Sequence, residues 1–139
     1  MRKTAGMLIL ADNDVGGAVA ALRRILESEE WVAFSAMLDL RFIEFTDVGL
    51  AQDASDPLVR HTCQEVGAVL ITGNRASGDA SLEHTIREHA GADSLPVLTI
   101  GDPQRVVRDP AYAQECAISL LDMLDHTEML RGTGRLFIP

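Results

Sequence analysis

Apolar residues run along this chain in two alternating rhythms. Short runs, LILA from Leu8 to Ala11, AVLIT from Ala68 to Thr72 and PVLTI from Pro96 to Ile100, read as strands buried on both faces. Arg41 to Phe45, RFIEF, alternates instead. Interrupted by Glu44, it predicts a strand nearer a sheet edge. Leu136 to Ile138 gives a short fifth strand.

Between these runs the spacing turns helical. Val15, Val19, Leu22 and Leu26 make one stripe, with Arg23, Arg24 and Glu27 off it. Ser28, followed by Glu29 and Glu30, predicts a new helix start, with Trp31, Phe34, Ser35 and Leu38 facing inward. Asp56 as N-cap and Pro57 at the first helical position open the next helix. Its predicted buried face is Leu58, Val59, Thr62, Cys63 and Val66, and Gly67 ends it. A further helix is expected from about Ser81, with Leu82, Ile86 and Ala90 inward. Asp109-Pro110 caps the last long helix, whose apolar positions are Ala113, Cys116, Ala117, Leu120, Leu121 and Leu124. Ile118, Met123 and Met129 widen that face, which suits either a wide buried stripe or a partner subunit in a homodimer. Gly132 and Gly134 stop it. Alternating strands and helices predict a three-layer α/β domain over 1–139, with a mainly parallel sheet of four to five strands and helices on both faces.

Composition sharpens this picture. At 139 residues, 47% hydrophobic and 24% charged, the chain suits one domain with a full core. A net charge of −9 repels polynucleotides at long range, so a nucleic-acid role needs a local basic patch or a bridging metal. Lys3 is the only lysine, which leaves no lysine chemistry further along. Cys63 and Cys116 have no paired metal-ligand spacing and fall on apolar helix faces, as buried, inert thiols do. No apolar run nears the ~20 residues of a membrane span. The opening MRKTAGMLILADND breaks on Asp12, too early for a signal-peptide core. A cytoplasmic location without a membrane partner is the expectation.

The candidate chemistry lies where the strands end. In an open parallel sheet, ligands bind outside the carboxyl ends of the strands. Asp12, Asn13 and Asp14 follow the first strand, Thr72 and Asn74 the third, and Asp102 the fourth. Asp56 and Asp79 can approach from neighbouring loops. Carboxylates, an amide and a hydroxyl are hard oxygen ligands suited to Mg²⁺ or Mn²⁺, which bridge to phosphate. Helix capping competes as an account. Asp56, Asp102 and Asp109 precede proline, and Asp14 can cap the first helix. Only Asp12 has no such account. The histidines add little: His84 with Glu88 and Asp122 with His126 are helix-surface pairs, and His61 and His89 stand alone. No HExxH, P-loop or GxGxxG pattern occurs. Gly16-Gly17 is a weak anion-site signal at a helix start.

The segment DVGLAQDASDPLVRHTCQEVGAVLIT, Asp47 to Thr72, resembles the middle of PIN-like domains related to the nucleases of bacterial toxin–antitoxin pairs. The D-x-G-L loop, the S-D helix start and the V-L-x-T strand occur in that order, preceded by the acidic turn LADNDV. The match covers about the first half of the chain. The resemblance implies an α/β fold and a Mg²⁺- or Mn²⁺-dependent ribonuclease ancestry, with RNA as substrate. Asp12 matches the first metal-binding aspartate and Asp56 the aspartate of the S-D start. Two places depart from the pattern. Asn74 stands where an acid is usual after the strand-end threonine, and Asn13 where one often occurs in the first turn. An amide brings oxygen without charge, so a degenerate or inactive domain is an alternative. Asp14 and Asp79 are the remaining candidates for the acidic set.

Two other readings compete. Asp12-Asn13-Asp14 also resembles the D-x-D of haloacid dehalogenase-type phosphatases, with Thr72 as their strand-end threonine and Gly101-Asp102 as their acidic motif. Gly16 stands at the fifth motif position, and no lysine is placed to steady a phosphoryl group. The third reading is non-catalytic: a domain that binds a protein, as an antitoxin-like or scaffold component, with acids that cap helices.

Overall fold

The computed structural model describes residues 6–73, 91 and 93–139. Its strands are β1 (Met7–Ala11), β2 (Leu40–Ile43), β3 (Ala68–Gly73), β4 (Val97–Ile100) and β5 (Arg135–Ile138). They form one sheet in the order β2-β1-β3-β4-β5, with every neighbouring pair parallel. Every residue of β3 and β4 is buried. That is why these segments read as unbroken apolar runs: both faces are covered. The edge strands β2 and β5 are only partly buried and carry Arg41 and Arg135. Charge on an edge strand discourages pairing with another chain.

Alternation along the strands divides the core between two layers. Ile9, Val69, Ile71, Leu98 and Ile100 pack under α1 (Gly16–Leu26) and two later helices, α4 (Pro103–Arg108) and α5 (Pro110–Asp125). Leu10, Ala68, Leu70 and Val97 face the other way, against Val59 and Cys63 of α3 (Asp56–Val66) and against Phe45 and Leu50. The architecture is therefore a three-layer α/β fold, with a fully parallel five-stranded sheet. No described helix is long and apolar enough to cross a membrane.

The α1 stripe is buried as its spacing predicts, with Val15, Val19, Leu22 and Leu26 at most 4% exposed. So are the six apolar positions of α5. Asp109 caps α5 by accepting from the Ala111 and Tyr112 amides at 3.1 and 3.3 Å, and it also holds Arg105 at 3.0 Å. Gly67 closes α3 at φ 77°, in the left-handed region that glycine enters without a steric penalty.

Several expectations need correction. The second helix, α2 (Val32–Leu38), starts after Trp31 rather than at Ser28. The Ser28 hydroxyl donates back to the Ile25 carbonyl instead, closing α1. Phe34 is exposed, because α2 turns it from the core. Phe45 leaves the strand for a 3-10 turn (Phe45–Val48). Ser55, not Asp56, is the N-cap of α3, accepting from the Leu58 amide. Leu58 and Val66 are exposed, and Arg60 is buried among the apolar positions. Met123 packs against the core and widens the buried face of α5, whereas Ile118 is exposed and Met129, beyond the end of the helix, is exposed as well. Asp102 caps the short helix α4, as its place before Pro103 allowed, although six residues give too little periodicity to predict the helix from its apolar spacing. The expected helix from Ser81 lies outside the described residues.

One buried group is out of place in its strand. Thr99 is fully buried in β4, and its hydroxyl has no hydrogen-bond partner. An unsatisfied buried hydroxyl costs about 1–3 kcal/mol. Thr99→Val keeps the shape and removes the polar atom, so its urea midpoint is expected to rise by the equivalent of about 1 kcal/mol. A lower midpoint would mean that the hydroxyl is satisfied.

Candidate functional site

β1 has β2 on one side and β3 on the other, so the chain changes direction across the sheet between β1 and β3. The crevice at the carboxyl ends of these strands is the topological switch point, where doubly wound sheets bind ligands. Asp12 stands there. Its backbone amide continues the ladder to the Ile71 carbonyl at 2.8 Å. Its Oδ2 accepts from the Thr72 hydroxyl at 3.3 Å, and its Oδ1 from the Asn13 amide at 2.8 Å. Asp12 thus does have a structural role: it caps the 3-10 turn Asn13–Val15. The expectation that it alone lacked one is corrected. Short polar side chains take such caps because their oxygens reach the next free amides.

Asp14 lies inside that turn, and the residue before α1 is Val15, so Asp14 is not the N-cap of α1. Its Oδ2 sits against Gly73, only 2.7 Å from where a β-carbon would be built. Any larger residue at 73 would push this carboxylate away. Asp12 and Asp14 therefore adjoin successive residues, Thr72 and Gly73, at the end of β3.

The other predicted residues are placed differently. Asp56 occupies the first turn of α3, the helix that also carries Cys63. Asp102 caps α4, accepting from the Arg105 amide at 3.2 Å, and its own amide donates to the Tyr112 hydroxyl oxygen at 3.1 Å. Asn74 and Asp79 lie outside the described residues. Among the described residues, no three His, Cys, Asp or Glu side chains are grouped as an ion would require.

A cleft of about 240 Å³ opens beside Asp12, between the ends of β1 and β2. Asn13, Arg23, Phe42, Glu44 and Gln52 line it with Asp12. The Asn13 side-chain amide donates to the Gln52 carbonyl, tying the first turn to the loop before α3. Arg23 lies over the Phe42 ring, 4.6 Å from its centre, and its Nε donates to no acceptor. Arg23 is 3.9 Å from Glu27. The cleft thus combines two carboxylates, Asp12 and Glu44, with the Arg23 cation and the rings of Phe42 and Phe45.

Sequence reasoning missed Arg23, Phe42, Glu44, Gln52 and Thr99 as neighbours of the site. Thr99 is the β4 register partner of Thr72, so a polar row, Asp12, Thr72 and Thr99, crosses three strands on the α3 face. The hydroxyl within PVLTI was the available signal. Below this row lies Cys63, 1% exposed. Burial pushes its thiol pKa up to about 12, the Asp12 charge adds to that, and Arg60 opposes it. Burial also raises the pKa of Cys116. Both cysteines are the buried thiols expected, and neither is free of its surroundings to act as a nucleophile.

Compared with protein-family models, curated proteins and solved structures, the chain matches none of them.

Proposed function

We propose that this chain is a PIN-like nuclease that cleaves RNA with the help of Mg²⁺ or Mn²⁺, at the switch point between β1 and β3. The observation that carries the reading is the Asp12 carboxylate, 3.3 Å from the Thr72 hydroxyl at that crevice and opening onto the adjacent cleft. Its support is the resemblance of Asp47 to Thr72 together with this placement.

The donor set fits a water-rich ion better than a dehydrated one. Mg²⁺ binds through one or two carboxylates and keeps several waters, leaving positions for substrate phosphate. Asp12 and Asp14 would hold it; Asp56, the third carboxylate expected from the sequence, is not grouped with them, and Asn74 and Asp79 are further candidates. When bound, such an ion supplies charge for the phosphate oxygens and lowers the pKa of water. The chain's own residues do the remaining work. Thr72 and the Asn13 amide each fix one oxygen of Asp12, and each oxygen keeps a further lone pair. Gly73 leaves room for Asp14 beside β3. Arg23, steadied on Phe42, brings a positive charge to the cleft wall, suited to an anionic or planar group entering it.

Mn²⁺ titration followed by electron paramagnetic resonance tests the reading. The full chain is expected to bind one ion, and Asp12→Asn to weaken it at least about tenfold, or about 1.4 kcal/mol. Mn²⁺-dependent cleavage of single-stranded RNA is expected to vanish in the same variant. Cleavage of a phosphomonoester but not of RNA would favour the haloacid dehalogenase-type alternative. No ion binding and no cleavage would leave a non-catalytic domain that binds a protein partner.

A further inference from the structure

Away from the strand ends, α3 holds a second polar group in an unusual setting. Arg60 is 4% exposed, and its Nε has no hydrogen-bond partner. A guanidinium stays charged at any physiological pH, so it cannot relieve burial by losing its proton. A buried charge with an unused donor is costly unless an anion meets it.

The surroundings of Arg60 are suited to one. It lines a cavity of about 530 Å³ with Ser55, His61, Gln64 and Ser94. The Ser55 hydroxyl oxygen accepts from the Leu58 amide at 3.4 Å, and that of Ser94 from the Gly91 amide at 2.9 Å. Each hydroxyl already accepts, so its own proton is left to donate. Gln64 uses both ends of its side-chain amide on the Leu95 backbone, at 3.1 and 2.9 Å, and forms a fixed wall. No carboxylate is among the described lining residues, in a chain with 21 acidic residues against 12 basic ones. Glu65 approaches His61 Nε2 to 3.5 Å from outside the cavity lining.

We propose that this cavity is an oxyanion site that takes a phosphate group on Arg60, with Ser55, Ser94 and His61 as further donors. The phosphate arrives either as the free ion or as a monoester of a small molecule, and the cavity has room for the second. The site is separate from Asp12 and does not depend on the nuclease reading.

Calorimetric titration of the full chain in EDTA tests it. Inorganic phosphate and glycerol phosphate are the probes, with sodium chloride at matched ionic strength as the reference. Wild type is expected to bind at least one of the two phosphate probes. Arg60→Met is expected to weaken binding at least about tenfold, and Arg60→Lys, which keeps the charge but loses the fork, to fall between. Asp12→Asn is expected to bind phosphate as wild type does, so loss of ion binding at the first site leaves this result intact. Tighter binding of glycerol phosphate identifies a phosphorylated small molecule, and equal or tighter binding of inorganic phosphate the free ion. A thermal melt checks folding. If Arg60→Met does not fold, Arg60→Lys carries the comparison. No heat beyond the chloride reference for either probe, or wild-type affinity in the folded Arg60 variant, overturns the proposal.

Discussion

Leu98→Ala is expected to lower the unfolding free energy by about 2–5 kcal/mol, read as a fall in the urea midpoint with an unchanged slope. Leu98 is fully buried in β4, between β3 and β5, and belongs to the larger of the two core layers. Truncation removes the side chain's burial and also leaves a void, because a strand held by ladders on both sides cannot close over it. Against a typical total of about 5–15 kcal/mol, that is a large share of the stability. Phe137→Ala serves as the contrast. Phe137 is a larger residue, yet it is 52% exposed on the edge strand β5, and its loss is expected to cost far less. Equal effects at the two positions would mean that β5 is covered in solution by something beyond this chain.

Alkaline pH is expected to have the second large effect. The Cys63 thiol has an ordinary pKa of 9.0 when exposed and is pushed up to about 12 in the fold. Below pH 9 both states hold the proton, and the contribution to stability is complete. Above pH 9 the unfolded chain releases it while the folded chain keeps it. Stability therefore falls by about 1.4 kcal/mol per pH unit, and by at most about 4 kcal/mol by pH 12. Cys116 and Tyr112 are shifted in the same direction by burial, so they add to the fall. Urea melts from pH 8 to 11 measure it. Cys63→Ala is expected to be less stable at pH 8, from lost packing, but to show a shallower decline. A wild-type midpoint that stays level over this range would show that the thiol is not buried. The same burial predicts that neither cysteine reacts with a thiol reagent at pH 8 until the chain unfolds.

Particular residues show how far the sequence could be read. The strands were legible because β3 and β4 are covered on both faces, which demands an unbroken apolar run. The α1 and α5 stripes were legible because one face of each meets the core. Asp109-Pro110 announced its helix because a cap and a proline both act locally. Asp56-Pro57 misled for the same reason. Ser55 was also a good cap, and only the path of the loop from Gly49 decided between them. Arg60 was unreadable as a buried residue, because charge in sequence predicts exposure.

The candidate site divides along the same line. Asp12, Asp14 and Thr72 could be picked out, since each lies at or just beyond the carboxyl end of a strand, and strand ends in a parallel sheet share one rim. Which of them touch was not in the sequence. Asp12 meets Thr72, and Asp14 meets Gly73, because β3 was inserted next to β1, sixty residues away along the chain. Arg23 reached Phe42 through the packing of α1 on the sheet edge.

The sequence by itself determined the elements, the two-sided burial of the central strands and the acidic character of the first turn. These follow from interactions within a few residues, where apolar spacing and capping groups act directly. Only the tertiary structure decided the strand order, the pairing of Asp12 with Thr72 and the enclosure of Arg60. Each of those depends on which distant segments share a face, and local preference carries no record of that.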